Sequence, residues 1–201
     1  MNRPILATIS LLLSCSIISQ EALSISKNQE SIILGGGCFW CIEAVFESVN
    51  GVQEVISGYA GGNVINPSYK NVCSGKTGHA EVVKVLFDKS QISLSQILYV
   101  FFSSHDPTTK DRQGVDIGSQ YRSIIIYENE KQLYDINVVI HDLQSQYENS
   151  IITEILQTTI FYPAEVSHQD YYINNKHNRY CSLVIKPKVT SIKEKFEWVI
   201  K

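Results

Sequence analysis

The chain has 201 residues, 44% of them hydrophobic, enough for one buried core but too few for two once the first two dozen residues are set apart. A net charge of −3 supplies no basic field for nucleic acid. The eleven tyrosines are scattered rather than interleaved with lysine or arginine stripes, so nucleic-acid binding is excluded as an activity.

In chain order, Arg3 is followed by the apolar run Ile5 to Leu13 and then by small and polar residues, the pattern of a secretory signal. Residues 1–24 are read as that signal, and 25–201 as one compact domain. The apolar run is well short of the roughly 20 residues that cross a bilayer. Leu12-Leu13-Ser14-Cys15 also resembles a bacterial lipobox, which leaves open a lipid anchor on Cys15. Either way the protein is expected outside the cytosol, periplasmic or extracellular, where disulfides persist unless a reductant reaches them.

Ser31 to Gly35 reads as a strand, and Gly35-Gly36-Gly37 then turns the chain into a helix over 38–49, with Ile42, Val45, Phe46 and Val49 at helical spacing. Cys38 therefore stands at a helix start, where free N–H groups and the positive end of the dipole favour a thiolate. Its pKa is expected below the free value of about 8.5. Phe39 and Trp40 at this turn are hard to bury on one side of a helix and suit the wall of a site.

Val52, Val55-Ile56 and Tyr59 mark a second strand, ending at Gly61-Gly62, and Glu81 to Phe87 a third by its period of two. Leu94, Ile97-Leu98 and Phe101-Phe102 mark a helix that ends before Asp106-Pro107. A loop laid over one end of the sheet is predicted from Asp106 to Gln120, then a strand at 123–127, a helix over 129–146 and a strand at 151–156. Strands separated by helices imply an α/β layer sandwich. Beyond Asn174 the chain is polar and tyrosine-flanked, which places Cys181 on a mobile tail before a final amphipathic segment with Phe196 and Trp198.

Without Cys15, four cysteines remain. Cys38-x-x-Cys41 closes a loop too short for much entropic stabilisation, whereas such a pair is typical of redox or metal sites. One reading is a thiol–disulfide oxidoreductase, although two large aromatics between the cysteines are unusual there. Another is a zinc-binding module using Cys38, Cys41, Cys181 and His79 or His168, for which a second short cysteine pair is missing.

Several segments, taken together and in order, resemble the A-type peptide methionine sulfoxide reductases: Gly37-Cys38-Phe39-Trp40-Cys41, Ser57 to Gly62, Pro67-Ser68-Tyr69, Val72-Cys73-Ser74-Gly75, Thr77 to Glu81, Gly118 to Ser123 and His168-Gln169-Asp170-Tyr171. Such enzymes restore oxidised methionine. The resemblance implies a ferredoxin-like core with a mixed sheet, packed helices, long loops and a C-terminal tail. It also implies selectivity for the S-epimer, in proteins or free, with no bound cofactor and a thioredoxin-like dithiol as external reductant; a monomer is expected.

Reduction of a sulfoxide needs a nucleophile at sulfur and a proton for the departing oxygen, because an unprotonated oxide is a poor leaving group. Cys38 is the candidate for the first, and Glu81 for the second if burial keeps it protonated. By resemblance, Tyr69 and Tyr121 donate to the sulfoxide oxygen, Asp116 lies near the site, and Phe39 and Trp40 receive the terminal methyl group. After attack Cys38 carries a sulfenic acid that a second thiol converts to a disulfide. Cys181 matches the family's C-terminal resolving cysteine; Cys41, one turn from Cys38, is the other candidate. Cys73 is expected to be a buried thiol without a catalytic part.

Overall fold

The run Ser31 to Gly35 is apolar without alternation because the strand that contains it is covered on both faces. The computed structural model describes residues 28–197 and 201, so residues 1–24, Cys15 and Trp198 lie outside them. Strand β1 (Gln29–Gly35) sends Ile32 and Leu34 into the main core and Ile33 into a smaller apolar cluster on the opposite face, with Ala60, Ala80, Val82, Ile124 and Ile126. Successive side chains of a strand point to opposite faces, so one continuous apolar segment serves both layers.

The elements follow the order β1, α1 (Phe39–Glu47), β2 (Val52–Ala60), α2 (Tyr69–Cys73), β3 (Ala80–Asp88), α3 (Leu94–Ser104) and a small hairpin, β4 (Arg112–Gln113) with β5 (Asp116–Ile117). Then come β6 (Ile124–Tyr127), α4 (Glu130–Gln144), β7 (Glu154–Gln157) and β8 (Tyr162–Pro163). The main sheet has the order β7-β6-β1-β3-β2-β8, antiparallel except for the parallel pair β6–β7. Its centre, β6-β1-β3-β2 with α1 and α3 as crossovers, is the expected ferredoxin-like core.

The helices cover one face. Phe39, Ile42, Val45 and Phe46 of α1 and Ile97, Leu98, Phe101 and Phe102 of α3 recur at helical spacing and are buried in the main core. Helix α3 opens on a capping box in which Ser93 and Gln96 satisfy each other's backbone N–H groups. Helix α4 starts at Asn129, whose side chain accepts from the N–H of Gln132.

Two segments differ from expectation. The strand predicted at 151–156 begins only at Glu154, because the N–H of Ile151 donates to the Gln144 side chain and that of Ile152 to the carbonyl of Pro107. The tail expected to be mobile is folded: α5 (Tyr171–Asn174), a π-turn at Cys181–Ile185 and α6 (Lys186–Lys195). Cys181, Ile185, Val189, Ile192 and Phe196 recur every three or four residues and enter the main core, so apolar burial holds this segment down.

Candidate active site

Strand β1 reaches the site through two glycines with distinct tasks. Gly36 lies against the ring of His105, where a Cβ would stand 2.7 Å from Cγ. Gly37 takes φ 95° and donates its N–H to the carbonyl of Tyr121 at 3.2 Å. The turn delivers Cys38 to the N-cap of α1, 8% exposed.

Glu81 comes from β3, beside Tyr59 of β2 in the sheet, and is 1% exposed. Its Oε2 accepts the N–H of Phe39 at 3.1 Å, while its Oε1 is buried with no partner. Burial pushes the carboxyl up to about 8 against the pull of the Phe39 N–H, and the negative charges of Asp116 and Cys41 push the same way. The side chain is therefore a neutral acid at pH 7, with one oxygen free at the site.

The expected lowering of the Cys38 pKa is not found: burial raises it well above the ordinary thiol value, and the neighbouring Cys41 and Glu81 add to the rise. The physical reason lies in the first turn of α1, whose leading N–H is committed to Glu81 rather than to sulfur. The lower thiol is Cys41, pulled down to about 7 by a hydrogen bond from Cys38 and by the charge of Lys188 against its own burial. The pair thus forms one proton-sharing unit at the helix start.

Tyr69 and Tyr121 hold their protons firmly: burial raises both hydroxyls, and the charge of Glu81 is the next cause for each. The Tyr69 ring stacks on Phe39, with centroids 6.1 Å apart and planes 13° from parallel. Asp116 accepts from the hydroxyl of Tyr180 at 3.2 Å. The structure therefore brings Cys38, Cys41, Glu81, Tyr69, Tyr121, Asp116, Phe39 and Trp40 to one end of the sheet. Phe39 is fully buried, and Trp40 is half-buried.

A family model for peptide methionine sulfoxide reductase matches residues 30–199. Peptide methionine sulfoxide reductase MsrA of Trichodesmium erythraeum is 53% identical over 169 residues, 83% of this chain and 96% of its own. The protein of the same name from Saccharolobus solfataricus is 50% identical over 167 residues, 83% of this chain and 94% of its own. Among solved structures, reduced Mxr1 of Saccharomyces cerevisiae superposes with a TM-score of 0.70 at 32% identity, over 77% of this chain and 90% of that one. Methionine sulfoxide reductase A of Corynebacterium diphtheriae gives 0.68 at 31% identity, over 75% of this chain and 77% of that one. The chain belongs to the peptide methionine sulfoxide reductase family. It is an oxidoreductase that reduces methionine sulfoxide by thiol chemistry.

The four described cysteines of this reductase are free thiols. Cys181 is buried in the π-turn, close enough to Cys41 that the Cys41 charge adds to burial in raising its pKa. Cys73, expected to be buried, is exposed at the end of the short helix α2, where its sulfur hydrogen-bonds with the hydroxyl of Tyr69. The zinc reading fails on geometry. His79 uses one ring nitrogen on the carbonyl of Val64 and the other on the N–H of Gly62, and no metal-holding cluster of three or more His, Cys, Asp or Glu exists among the described residues.

Four further residues of the reductase reach the site, three of them without having been singled out for a role and the fourth, His168, considered only as a zinc ligand. Tyr180, next to Cys181, lies with its hydroxyl 3.8 Å from the Cys41 sulfur and within hydrogen-bond reach of Cys38. Tyr171 stacks on Trp40 at 3.7 Å with planes 8° apart. His168 packs against Tyr69 at 4.3 Å and against Trp40 at 5.5 Å. Glu165 accepts from the Tyr69 N–H at 2.9 Å and the Tyr59 hydroxyl at 2.8 Å, which hold its carboxylate below the ordinary range in spite of burial. The signal that could have found them is the aromatic density of 161–180 beside a cysteine.

Proposed function

We propose that Cys38 attacks the sulfur of a methionine S-sulfoxide while Glu81 protonates the oxygen and Tyr69 and Tyr121 donate to it. The observation that carries this reading is the Glu81 carboxyl, neutral at pH 7, with Oε2 tied to the amide after Cys38 and Oε1 free. The electron count closes in one step. The sulfoxide sulfur gains two electrons and leaves as the thioether, and Cys38 is oxidised to a sulfenic acid that carries the transferred oxygen. As the nucleophile forms, Cys41 is the group placed to take the Cys38 proton. Phe39, Trp40 and Tyr171 supply the flat apolar wall for the methyl group.

The sulfenic acid then condenses with a second thiol, releasing water. Cys41 is the nearer partner of Cys38, and Cys181 lies beside Cys41. A first disulfide between 38 and 41, exchanged by Cys181 into one between 41 and 181, would free the nucleophile. A thioredoxin-like dithiol reduces the last disulfide. Mxr1 of S. cerevisiae has been crystallised in complex with Trx2, which supports a partner of this class.

The chain is further proposed to be exported, with residues 1–24 removed as a signal or Cys15 lipidated, and 25–201 acting as a monomeric catalytic domain.

Single-turnover reduction of methionine sulfoxide, with mass spectrometry of the quenched enzyme, tests the chemistry. Cys38 is expected to trap as sulfenic acid in the Cys41→Ser, Cys181→Ser double variant. Methionine formed at the normal rate by Cys38→Ser would reject the assignment. The intact mass and N-terminus of the mature protein decide export and lipid.

A further inference from the structure

Glu43 is fully buried on α1, one turn beyond Trp40, and no step above uses it. Its Oε1 accepts the Ser57 hydroxyl at 2.9 Å and the Asp170 N–H at 3.1 Å, and its Oε2 accepts the Tyr171 N–H at 3.0 Å. Three donors converge on one carboxylate, the arrangement that makes a buried charge tolerable. Burial raises its pKa, and the same three donors oppose the rise.

The segment it holds is not held by the sheet. Strand β8 ends at Pro163, and the chain then returns toward α1 through Asp170, a non-glycine residue at φ 51°. That left-handed conformation is costly and persists only where the surroundings over-determine it. Gln169 supplies one anchor: its side chain accepts from the Ser57 N–H and donates to the carbonyls of Ser57 and Ala164, copying a strand partner at the edge of β2. Glu43 supplies the other. The residue whose N–H it takes, Tyr171, is the one whose ring lies 3.7 Å from that of Trp40.

We infer that Glu43 is a positioning residue of the reductase, whose carboxylate fixes the 170–171 turn against α1 and thereby sets the Tyr171 ring on Trp40, beside the reacting thiol. Its effect on catalysis rests on the reading above that Trp40 and Tyr171 wall the substrate's methyl group. Its effect on ring placement does not. Glu43→Gln keeps the shape but points an amide donor at a backbone N–H, so the turn loses one partner and the rings separate.

The test uses the full chain carrying Trp198→Phe, which leaves Trp40 as the sole tryptophan. In Glu43→Gln, Trp40 emission is expected to shift to the red, and its quenching by acrylamide to rise at least about twofold. In single turnovers, the half-saturating concentration of methionine sulfoxide should rise about tenfold while the saturated rate falls less than about threefold. Tyr171→Ala should give the same pattern, and the double variant should be no worse than either single, the mark of two residues acting through one contact.

A folded Glu43→Gln with the parent's emission and half-saturation overturns the inference. So does a double variant in which the two effects multiply. Ser57→Ala, which removes one donor to the same carboxylate, replaces Glu43→Gln in the cycle should the latter fail to fold. A parent protein that reduces no sulfoxide would sink the proposed mechanism, and the emission measurements would still decide the role of Glu43.

Discussion

The site is made by two regions held in different ways. Cys38, Cys41 and Glu81 are carried by β1, α1 and β3, where sheet register and a two-sided core set each position; Ile32, Leu34, Ile42 and Val83 around them are fully buried. Tyr171, Tyr180 and Cys181 come from a segment beyond the sheet: Cys181 and the helix after it pack into the same core, while Tyr171 and Tyr180 are fixed by polar contacts, the Tyr171 N–H on Glu43 and the Tyr180 hydroxyl on Asp116, with the Gln169 side chain tied to the edge of β2. On the mechanism proposed above, the first region holds groups that must not move while a bond forms. The second then holds groups that must change partners, since the proposed resolving thiol has to approach sulfur 38 or 41. Polar contacts at a segment's ends break more locally than a shared core does.

The largest effect should come from the first region. Cys38→Ser is expected to lower single-turnover methionine formation by about 10³-fold or more, because a hydroxyl is neither as nucleophilic nor able to reach the sulfenic state. Residual turnover within a factor of ten, measured by amino-acid analysis of the product, would move the nucleophile to Cys41.

Glu81→Gln should follow, lowering the saturated rate by about 10²–10⁴-fold, since an amide keeps the shape but has no proton to give. The wild-type rate should fall above about pH 8 as the acid form is lost, and the variant's residual rate should not show that fall. The same carboxyl gives stability a sign. Its folded pKa, about 8, lies above the ordinary 4.5, so between these values the native state holds a proton that the unfolded chain has released. Stability therefore falls as pH rises through that window, by up to about 1.4 kcal/mol per pH unit for one such group. Glu47, pushed up to about 8 by burial and by its hydrogen bond with Asp170, acts in the same direction. Urea unfolding from pH 5 to pH 8 should show the decline, and Glu81→Gln should flatten it; an unchanged slope would mean that Glu81 is ionised at neutral pH.

Gly36→Ala probes the frame under the thiol. The added methyl meets the His105 ring, which cannot step aside: its nitrogens are hydrogen-bonded with the Phe101 carbonyl and the Ser123 hydroxyl, and burial brings its pKa down to about 4. A global loss of about 1–3 kcal/mol is expected, read as a shift in the denaturant midpoint.

The same division decides what was legible in the sequence. The helix after Gly37, the strand carrying Glu81 and the layering of helices on a sheet follow from periodicity and glycine placement, because there the local pattern and the core agree, whereas the ferredoxin-like order was implied by the family resemblance. The direction of the Cys38 shift was not legible: the helix-start argument is sound for a free N–H, but Glu81, 42 residues beyond Phe39 in sequence, takes the Phe39 N–H. The strand start at Glu154 was missed for a related reason, since single contacts from Gln144 and Pro107 outweigh local propensity, and Cys73 sits at the exposed end of a five-residue helix too short to give a periodic signal. Tyr171 and Tyr180 carried no periodic signal, and their places depend on side-chain-to-backbone bonds that no spacing rule encodes.

The smallest expected effect tests whether the second region opens by itself. Tyr180→Phe removes the partly buried hydrogen bond to Asp116 together with the weaker contact to the Cys41 sulfur, worth about 1 kcal/mol or somewhat more, a factor of about five in a local opening equilibrium. Cys181 is buried with its helix still seated, so its alkylation reports that opening. Iodoacetamide labelling followed by mass spectrometry should find Cys181 modified about fivefold faster in the variant, with the denaturant midpoint and the amide exchange of β1 and β3 unchanged. If exchange in β1 rises in step with Cys181 labelling, the two regions unfold as one unit, and a resolving cysteine could reach its partner only by disturbing the frame that holds the nucleophile.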